Sequence, residues 1–131
     1  MMRHLPPTIV RLDINNADFG ADFMDAISEH IRKPSQFDYL CLNRVKVGGD
    51  EEGKKAAVRF AEAVGDNKSL TTLNLRFTDM IGLENLEQWG FALTKNNTLT
   101  KLELNGVNDK DEIMSKLKEV TKDRTPKLNI Q

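Results

Sequence analysis

Cys41 is the only thiol in the chain, and His4 and His30 are its only imidazoles. Nucleophilic catalysis needs a Ser or Cys with a His held beside it by a third group. His4 falls in the N-terminal tail. His30 falls late in a helical stretch, where its charge would complement the C-terminal end of a helix dipole. Cys41 sits on a strand-like stretch, and neither His lies on a strand beside it. An enzyme using Cys41 is therefore an alternative with little behind it. Acid–base chemistry would need paired carboxylates. Asp13 and Glu103 share a position in different copies of a repeat, but at ~4.8 Å per strand they stand roughly 14 Å apart, too far for a glycosidase pair. Asp109, Asp111 and Glu112 cluster where a helix begins, and dipole complementation fits them better than a calcium site. Gly48-Gly49 lies between a strand and a helix as phosphate loops do, but it lacks G-x-G-x-x-G and G-K-[ST]. A turn needing positive φ explains it better. Asn67-Lys68-Ser69 and Asn96-Asn97-Thr98 match the glycosylation sequon, yet both fall at one repeat position. There Asn suits a turn and Ser or Thr bonds local backbone. No catalytic residue, cofactor or metal site is expected.

The elements that must position these residues form a repeat. The blocks Ile9–Ile14, Phe37–Leu42, Leu70–Leu75 and Leu99–Leu104 each place apolar residues at positions 1, 4 and 6, and Thr125–Ile130 is a partial fifth copy. The anchors Leu12, Leu40, Leu73, Leu102 and Leu128 are spaced 28, 33, 29 and 26 residues apart. Ala17, Val45, Thr78 and Val107 follow at position 9, then Phe19, Val47 and Met80 at position 11. Helical spacing comes next: Phe23, Ile27 and Ile31; Ala57, Phe60 and Val64; Leu86, Trp89 and Leu93; Met114, Leu117 and Val120. Short polar turns lead back to the next strand at Lys33-Pro34-Ser35, Asp66–Ser69, Asn96–Thr98 and Asp123–Thr125.

Each unit thus reads strand, turn, helix, turn. Strands separated by a helix are parallel, and stacked units share one core that no single unit can form. The predicted fold is α/β: a short solenoid of four strand–turn–helix units plus a final strand, with its parallel sheet backed by helices on one face. Residues 1–7 form an N-terminal tail or cap, in which Leu5, Pro6 and Pro7 cover the first edge. Residues 8–131 form the repeat domain. The chain stops at Gln131 in or just after the fifth strand, so that edge is expected to be bare or paired, with self-association as one outcome.

Composition narrows the function. Of 131 residues, 39% are apolar and 30% charged, and 19 basic residues against 20 acidic ones leave a net charge of −1. That balance gives no nucleic-acid footprint. No apolar run reaches the ~20 residues a membrane span needs. Met1–Val10 lacks a signal peptide's apolar core. A single cysteine points to a reducing compartment, so a cytoplasmic protein is expected.

The block L-x-x-L-x-L, followed by an apolar–Gly turn and a full helix, resembles the leucine-rich repeat of the ribonuclease-inhibitor-like class. Asn67–Leu75 is similar to that class's N-x-S-L-x-x-L-x-L junction, and Asn97–Leu104 repeats it. The same junction resembles the C-terminal repeat domain of tropomodulins, which cap actin filaments. The resemblance covers residues 8–130. It departs at position 9, where the class usually carries Asn or Cys. It implies a repeat solenoid, with actin capping or cytoskeletal regulation as an alternative function and actin as a possible partner.

The expected working surface is the open strand face. Positions 3, 5 and 7 form three columns: Arg11, Tyr39, Thr72, Lys101 and Lys127; Asp13, Cys41, Asn74, Glu103 and Asn129; Asn15, Asn43, Arg76, Asn105 and Gln131. Tyr and Arg are enriched at binding hot spots. Phe77, just past its strand, is either an exposed anchor or tucked into the loop layer. The expected function is non-catalytic protein binding, as a module or a subunit of a larger assembly. The contact residues would be Arg11, Asp13, Tyr39, Asn43, Asn74, Arg76, Lys101 and Glu103. Neither nucleic acid nor membrane is an expected partner.

Overall fold

A computed structural model describes residues 10–15, 20–33 and 37–131. Leu5, Pro6, Pro7, Ala17, Phe19 and the Pro34-Ser35 part of the first turn lie outside the described residues. Alternating apolar positions become the short strands β1 (Arg11–Asp13), β2 (Tyr39–Cys41), β3 (Thr72–Asn74), β4 (Lys101–Glu103) and β5 (Asn129–Ile130). They pair in sequence order, each parallel to the next. Leu12, Leu40, Leu73 and Leu102 stand level across the sheet, as the repeat spacing requires.

The helical stretches form α1 (Gly20–Arg32), α2 (Glu51–Asp66), α3 (Leu86–Lys95) and α4 (Lys110–Val120). Asp50 starts α2 by accepting the Gly53 amide at 2.8 Å, and Glu51 and Glu52 complement the helix's positive end. The helices back one side of the sheet. Leu40, Leu42, Leu73, Leu75, Leu102 and Leu104 point into the shared core, against Phe23, Ile27, Phe60, Val64, Trp89 and Leu93. Phe60 and Trp89 meet edge to face at 5.8 Å. Val45, Thr78 and Val107 at position 9 and Val47 and Met80 at position 11 are all buried. Thr78 satisfies its hydroxyl by donating to the Leu75 carbonyl at 2.9 Å.

Three details differ from the sequence expectation. The fifth strand is shifted by two residues: Ile130, not Leu128, stands level with Leu102, and Asn129, not Lys127, with Lys101. A two-residue slip leaves every side chain on its original face, so the apolar pattern does not distinguish the two registers. The core side of α4 is Ile113, Leu117 and the following Thr121, whereas Met114 is half-buried and Val120 exposed. Thr121 tolerates burial because its hydroxyl donates to the Leu117 carbonyl at 2.7 Å. His30 does not serve as a surface charge on the α1 dipole. It is buried, with its ring edge-on to Phe37 at 5.3 Å. Burial, with Lys33 nearby, holds its pKa below the usual value, so it is neutral at pH 7.

The helix-to-strand turns are joined by a polar ladder. The Asn67 side chain donates to the Ile31 carbonyl at 2.8 Å and accepts from the Ser69 and Leu70 amides. Asn96 repeats this one unit on. It donates to the Val64 and Asn67 carbonyls at 2.8 and 3.1 Å, and accepts from the Thr98 and Leu99 amides at 2.9 and 2.7 Å. In the next unit Arg124 takes the place of asparagine. Its Nε donates to the Leu93 and Asn96 carbonyls, and a terminal nitrogen donates to the Asn96 side-chain oxygen at 3.0 Å. Both sequon asparagines are buried with their amide nitrogens committed to the preceding unit. They are structural residues, and the folded domain offers neither to a glycan.

Candidate interaction face

Strand geometry points alternate residues away from the helices, and five strands at ~4.8 Å give a shallow surface about 20 Å across. At its first edge the Arg11 guanidinium lies over the Tyr39 ring, 4.2 Å from the centroid. Such a cation–π contact presents a flat, amphipathic surface. Burial pushes the Tyr39 phenol up, with Cys41 and Asp13 adding to the shift and Arg11 opposing it.

In the middle column Cys41 lacks the surroundings of an activated thiol. The residue is 4% exposed. Burial pushes its thiol up, an Asn43 backbone contact works against that, and Asp13 adds to it. A reactive cysteine needs the opposite environment. Asn74 stands beside Cys41 across the sheet and is also buried. Its side-chain oxygen accepts the Arg76 amide at 3.0 Å, so it shapes the strand end and presents little surface. Glu103 is gripped from two sides. Its carboxylate lies 3.2 Å from the Lys101 ammonium and 3.7 Å from Arg76 Nε, and its side chain is only 18% exposed.

The third column carries a chain of donors. Asn43 donates to Asn15 at 2.8 Å, and Asn15 donates to Asp13 at 2.9 Å. Asn43 Oδ1 and Arg76 Nε, on adjacent strand ends, have no hydrogen-bond partner among the described residues. The expected contact residues thus divide. Arg11 with Tyr39, and Lys101 with Glu103 and Arg76, form two charged clusters, and Asp13, Asn15 and Asn43 form a hydrogen-bonded chain at the end of the first two strands.

Of a neighbouring feature the sequence singled out only Phe77, as an exposed anchor or a loop-layer residue. The residue just past position 7 is left-handed in each described unit: Arg44 at φ 62°, Phe77 at φ 59° and Gly106 at φ 79°. These residues stack. Arg44 lies 4.4 Å from the Phe77 ring centroid, and the same ring covers Gly106, where an added Cβ would fall 2.1 Å from it. Phe77 is therefore fixed in the loop layer and still 38% exposed. Gly106, in the same repeat position as Phe77, was the available signal. Lys110 extends this edge by donating to Asn105 at 2.7 Å.

Gly48-Gly49 holds no phosphate cradle. Gly48 has φ 92°, as a turn needs, and the Asp79 carboxylate of the next unit accepts the Val47 and Gly48 amides at 2.9 and 3.0 Å. The donors an anion would use are already occupied. Among the described residues no three His, Cys, Asp or Glu converge as metal ligands, and no helix is long and apolar enough to cross a membrane.

No family model matches the chain, and no curated protein matches its sequence. Among solved structures it is similar to "Leiomodin-1 Actin-Binding Site 2 (ABS2)", with a TM-score of 0.69 and 22% identity, over 95% of this chain and 72% of that one. The match carries the fold: a parallel strand–helix repeat of the leucine-rich type.

Proposed function

We propose that this chain is a non-catalytic protein-binding module that works through its open strand face, in the cytoplasm and as part of a larger assembly. One observation carries the reading. The face is free of described covering elements, although parallel sheets are normally covered on both sides, and it gathers Arg11, Tyr39, Arg76, Lys101 and Glu103 within one shallow surface. Aromatic and arginine side chains are the residue types that dominate binding energies. Arg11, Asp13, Tyr39, Asn43, Arg76, Lys101 and Glu103 make the contacts, and Asn74 sets the backbone from which Arg76 projects.

Actin is the second reading. It rests on the fold likeness to leiomodin-1 actin-binding site 2 and on the tropomodulin-like junctions of the sequence. The experiment is capture from a cell lysate, with the triple variant Tyr39→Ala, Arg76→Ala, Glu103→Ala as control. A partner retained by the native chain and lost by the variant supports the open face. Equal retention by both moves the interface elsewhere. Co-sedimentation with filaments, together with pointed-end elongation, tests actin directly. Absence from the pellet with unchanged elongation removes that reading and leaves the module intact.

A further inference from the structure

The helical side carries a second feature that the open face does not explain. Phe91, midway along α3, is 73% exposed, more than any other large apolar side chain among the described residues. Its surroundings are built from small residues. A Cβ on Gly65 would lie 3.1 Å from Ala92, and one on Gly90 would lie 3.3 Å from Val120. The helices on either side of α3 therefore come close, and Phe91 stands on a ridge with a groove along each flank. The groove toward α4 has a volume of about 530 Å³, and Phe91 forms one wall of it together with Leu86, Gly90, Thr94, Val120, Glu87 and Lys116. An exposed aromatic beside an apolar groove is a knob next to a hole.

Charge along this stripe is self-complementary. Glu87, Phe91 and Lys95 follow at four-residue intervals and are all exposed, so they lie on one helix face. A two-fold axis near Phe91 with two antiparallel α3 helices sets Glu87 of each copy opposite Lys95 of the other. A parallel arrangement would instead oppose like charges. Lys95 is paired with Asp66 in the single chain, and Asp66 also holds Arg32 at 3.1 Å, so Asp66 keeps a cationic partner when Lys95 turns to Glu87 of the second copy.

We infer that the chain forms a two-fold symmetric dimer with a second copy of itself, in which antiparallel α3 helices pair and each Phe91 enters the other copy's α3–α4 groove. Every contact then occurs twice, as an isologous interface requires. A ten-residue helix is only about 15 Å long, so the interface is small and the association is weak, on the order of micromolar. Both open strand faces remain outside the contact, so the dimer presents two binding surfaces. The inference does not depend on what those surfaces bind.

The test is sedimentation of the full chain from low micromolar to near-millimolar concentration. The native chain is expected to shift from the mass of one chain to that of two. Phe91→Asp, at an exposed position where folding survives, is expected to remain at one. Glu87→Lys and Lys95→Glu should each weaken association by about tenfold or more, and the two together should restore it. A single-chain mass at every concentration overturns the inference, even if another protein is found on Phe91. It is also overturned by a dimer that tolerates Phe91→Asp, which would place the contact elsewhere, for example at the β5 edge, or by a double reversal that fails to restore association.

Discussion

Replacing Asn96 by alanine tests the account of how the units are held together. Its side chain is fully buried and makes six hydrogen bonds: to the Val64 and Asn67 carbonyls, from the Thr98 and Leu99 amides, from the Thr98 hydroxyl at 3.5 Å, and from Arg124. Each is worth about 1 kcal/mol net, and a buried group left unpaired costs about 1–3 kcal/mol. Thr98 is only half-buried, so water can replace part of what is lost. The expected destabilisation is about 3–5 kcal/mol, a large fraction of the ~5–15 kcal/mol that holds a domain together. In a chain of this size that is a fall in Tm of roughly 10–15 °C. The assay is equilibrium unfolding in urea, followed by the fluorescence of Trp89, the single tryptophan and fully buried. Asn97→Ala, one residue away and exposed, is the control and should change stability by less than about 0.5 kcal/mol. Asn96→Ala within about 1 kcal/mol of that control would refute the ladder as a principal tie between units.

Three further outcomes follow from named contacts. Cys41 should react with a maleimide at neutral pH far more slowly in the native chain than in urea, because its thiol is buried and pushed up; fast native labelling would return the thiolate to consideration. His30 binds its proton more weakly folded than unfolded, so stability is full above its unfolded pKa of about 6.5 and falls as pH drops through the lowered folded value. His30→Phe should flatten that acid slope in urea titrations at stepped pH, and an unchanged slope would assign it to other groups. Gly106→Ala adds a Cβ 2.1 Å from the Phe77 ring at φ 79° and should cost about 1–3 kcal/mol. The double variant with Phe77→Ala should recover the steric part, and strict additivity in that cycle would show that the two do not touch.

The repeat was legible because its signal is periodic. Leu12, Leu40, Leu73 and Leu102 stand level in the sheet, and a pattern repeated four times outweighs the ambiguity of any one copy. Legibility failed where alternatives share a face or a polarity. Leu128 and Ile130 point the same way, so the fifth register was decided by pairing with β4 and not by hydrophobicity. On α4, Thr121 reads as polar, which favoured Val120 as the apolar position, although the hydroxyl is satisfied within the helix. Asn67 and Asn96 were legible as turn residues, but their bonds to the preceding unit connect residues 36 and 32 apart. Arg124 gave no signal at all, since a polar turn accepts any long side chain, and only the structure shows it donating where asparagine donates elsewhere.

The division of labour between junctions and face bears on how the binding test is to be read. At the helix-to-strand end, Asn67, Asn96 and Arg124 connect successive units through buried hydrogen bonds. At the strand-to-helix end, Asp79 holds the Val47 and Gly48 amides, and Asn85 and Trp89 both donate to the Met80 carbonyl. These are the buried, satisfied contacts whose loss is expensive. The open face contributes little of this kind. Cys41 and Asn74 are buried on it, whereas Arg76, Lys101 and Glu103 meet in pairs longer than 3 Å with the cations well exposed, and pairs of that type contribute about 0–1 kcal/mol each. Changing Tyr39, Arg76 and Glu103 together therefore removes recognition chemistry while leaving the ties between units in place. A loss of partner in that variant, with its urea midpoint nearly unmoved, is attributable to the face itself, and a collapse of the midpoint would show that the face had been structural after all.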